Sequence, residues 1–139
     1  MAVNLELVRE PRKRLRLVLI IMAIHSFFIG IGLVIQLPMI MDLFGLGHIE
    51  QPFFPAQGGI FHVLMAVAYI TAALRPEGNG TLINFIIVVK ITATVFLFFY
   101  FTFIQNIWMI LFSGICDGIL ALLILISYRS FKNLRTQNG

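Results

Sequence analysis

The stretch that decides the fold is LINFIIVVKITATVFLFFYFTFIQNIWMILFSGICDGILALLILISY, residues 82–128, in which only Lys90 and Asp117 carry charge. Each of its two apolar runs, 82–104 and 107–128, is long enough to cross a hydrocarbon core of roughly 30 Å as a helix. Only Gln105 and Asn106 part them. Lipid offers no partner to unpaired backbone groups, so two such runs joined by so short a connection predict a tight antiparallel helical hairpin.

Working toward the N-terminus, no Asp, Glu, Lys or Arg occurs between Leu17 and Met41, and 16–37 reads as a retained first span. A cleavable leader would have an apolar region of only about 7 to 15 residues and a small-residue cleavage site. A shorter run, 58–74, reads as the second span, drawing on its Phe53–Gly58 approach or on local bilayer thinning. The spans are therefore 16–37, 58–74, 82–104 and 107–128, in a single unit over 1–139, with an outer loop at 38–57 and a disordered tail at 133–139. The expected class is all-α, an integral membrane four-helix bundle.

Composition agrees. Of 139 residues 60% are hydrophobic and 12% charged, against roughly 45 to 50% and about 25% in soluble domains. A pI near 9.7 does not indicate nucleic acid, because the bases sit at the ends of apolar runs rather than on one face of a soluble fold. Arg9, Arg12, Lys13, Arg14 and Arg16 precede the first span, Arg75 lies between the second and third, and Arg129, Lys132 and Arg135 follow the fourth. The 38–58 connection holds Asp42, His48 and Glu50 but no Lys or Arg. The positive-inside rule then places both termini and the Arg75 turn in the cytoplasm of a bacterial-type inner membrane. Phe98, Phe99, Tyr100, Phe101, Phe103 and Trp108 crowd the outer boundary, where amphipathic and aromatic rings anchor. The outer loop, with Pro38, Pro52, Pro55 and several glycines among apolar residues, is expected to lie in the interface or fold over the bundle mouth as a lid.

Charges at mid-bilayer cost roughly 2.5 to 3.5 kcal/mol each on insertion scales, so Lys90 and Asp117 call for partners. Counting outward from the hairpin turn sets Asp117 opposite Thr94, one helical turn from Lys90, which predicts a buried ion pair. Helical periodicity gathers the other polar or small residues into one stripe per span: His25, Gly32, Gln36; His62, Ala66, Tyr69, Ala73; Lys90, Thr94; and Ser113, Gly114, Asp117, Ala121. These stripes are expected to face the interior and to form an intramembrane polar cluster of His25, His62, Tyr69, Lys90, Thr94, Ser113 and Asp117. Thr71, Asn84 and Thr92 fall outside the pattern. Gly114 and Gly118 have the spacing that admits a close helix, within the bundle or from a second copy.

A Lys–Asp pair in this setting either fixes hairpin register or lines a path for protons, ions or ligand. His25 and His62 on neighbouring helices have the residue type for haem b ligation, and the cluster has groups that suit a quinone. Asp42, His48 and Glu50 are metal-ligand types, but their spacing matches no zinc pattern, and no metal site is assigned. Cys116, the lone cysteine, reads as a small buried hydrophobe. No P-loop, dinucleotide fingerprint, HExxH, CxxC or serine-nucleophile motif occurs, which argues against phosphoryl transfer and conventional hydrolysis and leaves catalytic residues unassigned.

The order of four helices, the long Pro/Gly-rich outer loop after the first, the short later loops, and Gln57, Gly58, Gly59 leading into Phe61 and His62 resemble the small DoxX-like bacterial membrane proteins. That resemblance spans the chain in topology and implies an accessory role beside quinone-linked oxidoreductases. Two functions are expected from these readings. One is a small multipass accessory or binding subunit, surrounded by lipid and joined to a homo-oligomer or a larger membrane complex. The alternative is an autonomous redox or transport protein using His25, His62, Lys90 and Asp117.

Overall fold

The structure is a computed structural model that describes the backbone of residues 10–47 and 50–137 and side chains through residue 133. Among the described residues five helices follow in order: α1 (Pro11–Ile35), α2 (Pro38–Leu43), α3 (Phe53–Leu74), α4 (Gly80–Phe103) and α5 (Trp108–Gln137). All but α2 are long and apolar enough to cross a membrane. No strand occurs among the described residues.

The helix boundaries have local causes. Pro11 occupies the first turn of α1, where its missing N–H costs nothing. The helix stops at Gln36, which takes the left-handed conformation (φ 50°) while its N–H bonds the Gly32 carbonyl at 2.9 Å. That conformation is costly for a residue with a Cβ, and the side chain helps hold it: Gln36 Nε2 donates to the Pro52 carbonyl at 2.9 Å, tying the end of α1 to the start of α3. Arg75 precedes Pro76 and is driven out of the helical region (φ −138°, ψ 72°), which ends α3. Asn79 then donates through Nδ2 to the Arg75 carbonyl at 2.9 Å and the Thr71 carbonyl at 3.3 Å, covering acceptors that α3 leaves unpaired.

Two expectations change. Residues 38–57 are not all loop: α2 occupies Pro38–Leu43, and α3 begins at Phe53, because a proline at a first helical turn supports a start as readily as it forbids an interior position. The region 133–139 is not all disordered tail either, since α5 runs through Gln137; residues 138–139 lie outside the described residues. The chain just after α2 touches the start of α5. Met41 is buried, the Phe44 ring meets Trp108 edge-on at 6.2 Å, and Gly45, at φ +74°, abuts Ile107 and Trp108.

Around the bundle the order is α3, α1, α5, α4. Helix α1 packs closely on α3 and also on α5, α5 packs on α4, and α3 and α4 barely approach. Between α1 and α3 the backbones nearly touch: a Cβ at Gly30 would sit 2.7 Å from the Gly59 carbonyl oxygen, and one at Gly59 would sit 2.6 Å from that of Gly30. Gly114 and Gly118 serve the α4–α5 hairpin. A Cβ on either would lie 3.3 Å from Leu97 Cβ or Thr94 Cγ2 respectively, so this close spacing is used within the bundle.

The apolar core occupies the half of the bundle nearest the two chain ends, with Leu15, Leu19, Met22, Ile83, Ile86 and Ile124 fully buried. Beyond Lys90 no residue of α4 is buried. The polar groups therefore border the apolar core on one side; on the other, α4 buries nothing further while α1 and α3 stay in close contact at Gly30 and Gly59.

Candidate functional site: a polar cluster at mid-depth

Lys90 from α4 and Asp117 from α5 form an ion pair through Nζ and Oδ1, with the two residues only 3% and 7% exposed. The hairpin produces the pairing. Its turn sets Thr94 against Gly118, and Lys90, one turn away, spans the remaining distance with its four-carbon stem. Thr94 takes no part through its hydroxyl, which bonds the Lys90 carbonyl at 2.8 Å.

The ammonium also lies over the ring of Tyr69 from α3, at 5.9 Å from its centroid. Tyr69 is 1% exposed. This cation–π contact, worth about 2 kcal/mol or more when desolvated, joins α3 to α4 where their backbones stand apart.

Helix α1 contributes Ser26, 1% exposed and placed against α3. Its Oγ donates to the His62 carbonyl at 3.0 Å and lies 3.2 Å from His62 Nδ1. A hydroxyl has one proton. With that proton on the carbonyl, the ring must donate, so His62 carries its hydrogen on Nδ1 and presents the lone pair of Nε2. No described protein group takes Nε2. Ser26→Ala should remove this lock. Imidazole 15N spectra of the labelled protein are expected to show an Nδ1-protonated ring in the parent and a tautomer mixture in the variant; unchanged spectra would mean that Ser26 does not set the tautomer.

His25, next to Ser26, is half-buried, and its Nδ1 is sealed from solvent without a hydrogen-bond partner. Each of the four long helices thus sends a polar group into the bundle, in two sets: Ser26 with His62, and Lys90 and Asp117 with Tyr69.

Some expected positions differ. In α1 the buried stripe is Leu15, Leu19, Met22, Ser26 and Gly30, rather than one containing Gly32 and Gln36. A Cβ at Gly32 would meet nothing within 4 Å, and Gln36 is half-buried and engaged with Pro52. The reason is the Gly30–Gly59 approach, which rotates α1 so that His25 lies at the margin and Ser26 points inward. Ser113 is half-buried, whereas Gly114 and Ala121 are buried. Thr71, Asn84 and Thr92 are exposed on the outer faces, and Thr71 satisfies its hydroxyl on the Val67 carbonyl at 2.8 Å. Of the metal-ligand types in the outer connection, His48 lies outside the described residues and Asp42 and Glu50 are exposed. No group of three His, Cys, Asp or Glu side chains suited to a metal gathers among the described residues.

Compared with protein-family models, with curated proteins and with solved structures, the chain matches none.

Proposed function

We propose that this chain is a small multipass membrane accessory or binding subunit whose mid-depth cluster holds a lipid-soluble ligand or couples to a larger complex. In this reading both termini and the turn after α3 face the cytoplasm of a bacterial-type membrane, following the positive-inside rule. The observation that carries it is that each of the four long helices sends a polar group inward, in two sets two turns apart along α3: Lys90 and Asp117 with Tyr69, and Ser26 with His62. Polar groups are expensive inside a membrane, and a second polar set beside the ion pair exceeds what setting hairpin register requires. The unclaimed His62 Nε2 accepts a hydrogen bond, while the Lys90 ammonium, with three donors and one carboxylate oxygen taken, has capacity for an acceptor. A quinone or quinol offers such oxygens, in keeping with the role the DoxX-like resemblance implies. For haem, His62 Nε2 is the nitrogen that the described hydrogen bonds leave open, whereas His25 Nδ1 is sealed from solvent without a partner.

The test is extraction of the chain from its own membrane in mild detergent, followed by analysis of co-purifying small molecules and proteins. A bound quinone- or haem-sized molecule, or a reproducible partner, that is lost in His62→Leu while the helical content stays intact is the expected result. Equal retention by both forms contradicts the assignment of this cluster.

A further inference from the structure

The buried hydroxyls of the bundle are those of Ser26, Tyr69, Ser127 and Tyr128, and Tyr69 stands apart from the rest. Ser26 donates to the His62 carbonyl at 3.0 Å, and Tyr128 reaches the Gly80 carbonyl at 3.4 Å. Ser127 has no partner, but its Oγ is sealed and leaves no room for one. Tyr69 is 1% exposed, its hydroxyl bonds no group among the described residues, and its oxygen is not sealed. The trace of surface that this residue keeps therefore lies at its hydroxyl. A buried phenol ordinarily finds a partner, and leaving it without one is costly.

Where that oxygen leads follows from the helix. A long side chain on a helix leans toward the N-terminus, and α3 starts at Phe53, so the Tyr69 hydroxyl leads away from the apolar core toward the half in which α4 buries nothing beyond Lys90. Over the face of the same ring, 5.9 Å from its centre, lies the Lys90 ammonium, which has spent one of its three donors on Asp117 Oδ1. Spare donors thus stand at the edge of one ring and over its face. The ion pair cancels its own charge, and an ionised guest would add an uncompensated charge inside the membrane.

We infer that the Tyr69 hydroxyl donates a hydrogen bond to the ligand of this cluster, and that the ligand presents it with a neutral carbonyl oxygen. A carbonyl has two lone pairs and no proton that needs a partner of its own, which suits a place whose spare groups are donors. Tyr69 then has two tasks, its ring under the ammonium and its hydroxyl toward the ligand. The inference rests on the reading that the cluster holds a lipid-soluble ligand, and adds the class of that ligand and the residue that selects it.

The test gives the full chain in detergent two probes, para-octylacetophenone labelled with 13C at its carbonyl and para-octylethylbenzene, which differ only in the exchange of the carbonyl for a methylene. In native mass spectrometry the parent is expected to retain the ketone about fivefold over the hydrocarbon, the worth of one neutral hydrogen bond, and to move the labelled carbon resonance downfield. Tyr69→Phe removes the hydroxyl and keeps the ring under Lys90. It should bring the ratio to about one, return the resonance to its position in protein-free micelles, and melt no lower than the parent, since the group lost had no partner in the protein. Thr71→Val, which removes an exposed hydroxyl from the same helix, should leave the ratio intact. An unchanged ratio in Tyr69→Phe would assign the carbonyl to another donor and overturn the inference. Equal retention of both probes by the parent would overturn it while leaving the reading that the cluster holds a lipid-soluble molecule, and retention of neither would overturn both.

Discussion

Asp117→Leu alone is expected to destabilise the bundle by about 3 to 5 kcal/mol, the range found when one member of a buried ion pair is removed. The change leaves the Lys90 ammonium 3% exposed, with the Tyr69 ring as its remaining favourable contact. Lys90→Met should cost a similar amount, since it strands a carboxylate in the same place. The double variant Lys90→Met with Asp117→Leu removes both charges and fills the volume with apolar atoms. It should recover most of the loss, and in such sites replacement of both partners is often neutral or better. Unfolding by heat or by a denaturing detergent reads all three. A double variant as unstable as the sum of the singles would mean that the two residues do not act as a pair.

Gly59→Ala carries the second large effect, although it adds one methyl group. Its Cβ would meet the Gly30 carbonyl oxygen at 2.6 Å and Val34 Cγ2 at 2.8 Å. A backbone oxygen cannot turn aside as a flexible side chain can. The α1–α3 pair must therefore separate, and overpacking of this kind costs typically 1 to 3 kcal/mol or more, about as much as a buried hydrogen-bonded group. Gly59→Val should exceed that range. Gly30→Ala should behave alike, because its Cβ would lie 2.7 Å from the Gly59 oxygen. The neighbouring Gly58 and Gly32 give the contrast, having nothing within 4 Å of an added Cβ. Alanine at either should be neutral or stabilising by about 0.5 to 1 kcal/mol through reduced chain entropy. The same unfolding midpoints test this, and equal effects at Gly58 and Gly59 would refute the close crossing. Separation of α1 from α3 would also pull Ser26 from His62, so the two predictions meet at the candidate site.

The hairpin was readable because charge is rare in this chain. One cation in the third span and one anion in the fourth, with a short turn between them, leave a single register that pairs them. The buried position of Tyr69 followed from its spacing with Ala66 and Ala73. Ser26 and Gly30 were not readable in the same way. Serine and glycine are ordinary in membrane helices, and no charge marks the face they occupy. Their only signal was the four-residue separation of two small groups, opposite a glycine pair at 58 and 59 whose active member sequence alone does not distinguish. The rotation of α1 is set by that backbone contact, and polarity therefore pointed to Gly32 and Gln36 instead. The extent of α2 was hidden for a related reason, since Pro38 is compatible with a loop and with a helix start. At the site, the ion pair was legible from one-dimensional counting, whereas the donor arithmetic of His62 needs the position of a hydroxyl on another helix.

The central claim is that the mid-depth cluster holds something. Native mass spectrometry of the parent chain and of the Lys90→Met, Asp117→Leu double variant, both extracted from their own membrane, tests it most directly, because the double variant is expected to stay folded. The account predicts that the parent carries a reproducible small molecule or partner protein that the double variant lacks at comparable helical content. Identical spectra from two folded forms, with nothing bound to either or the same species bound to both, would contradict it and leave the pair a device for hairpin register.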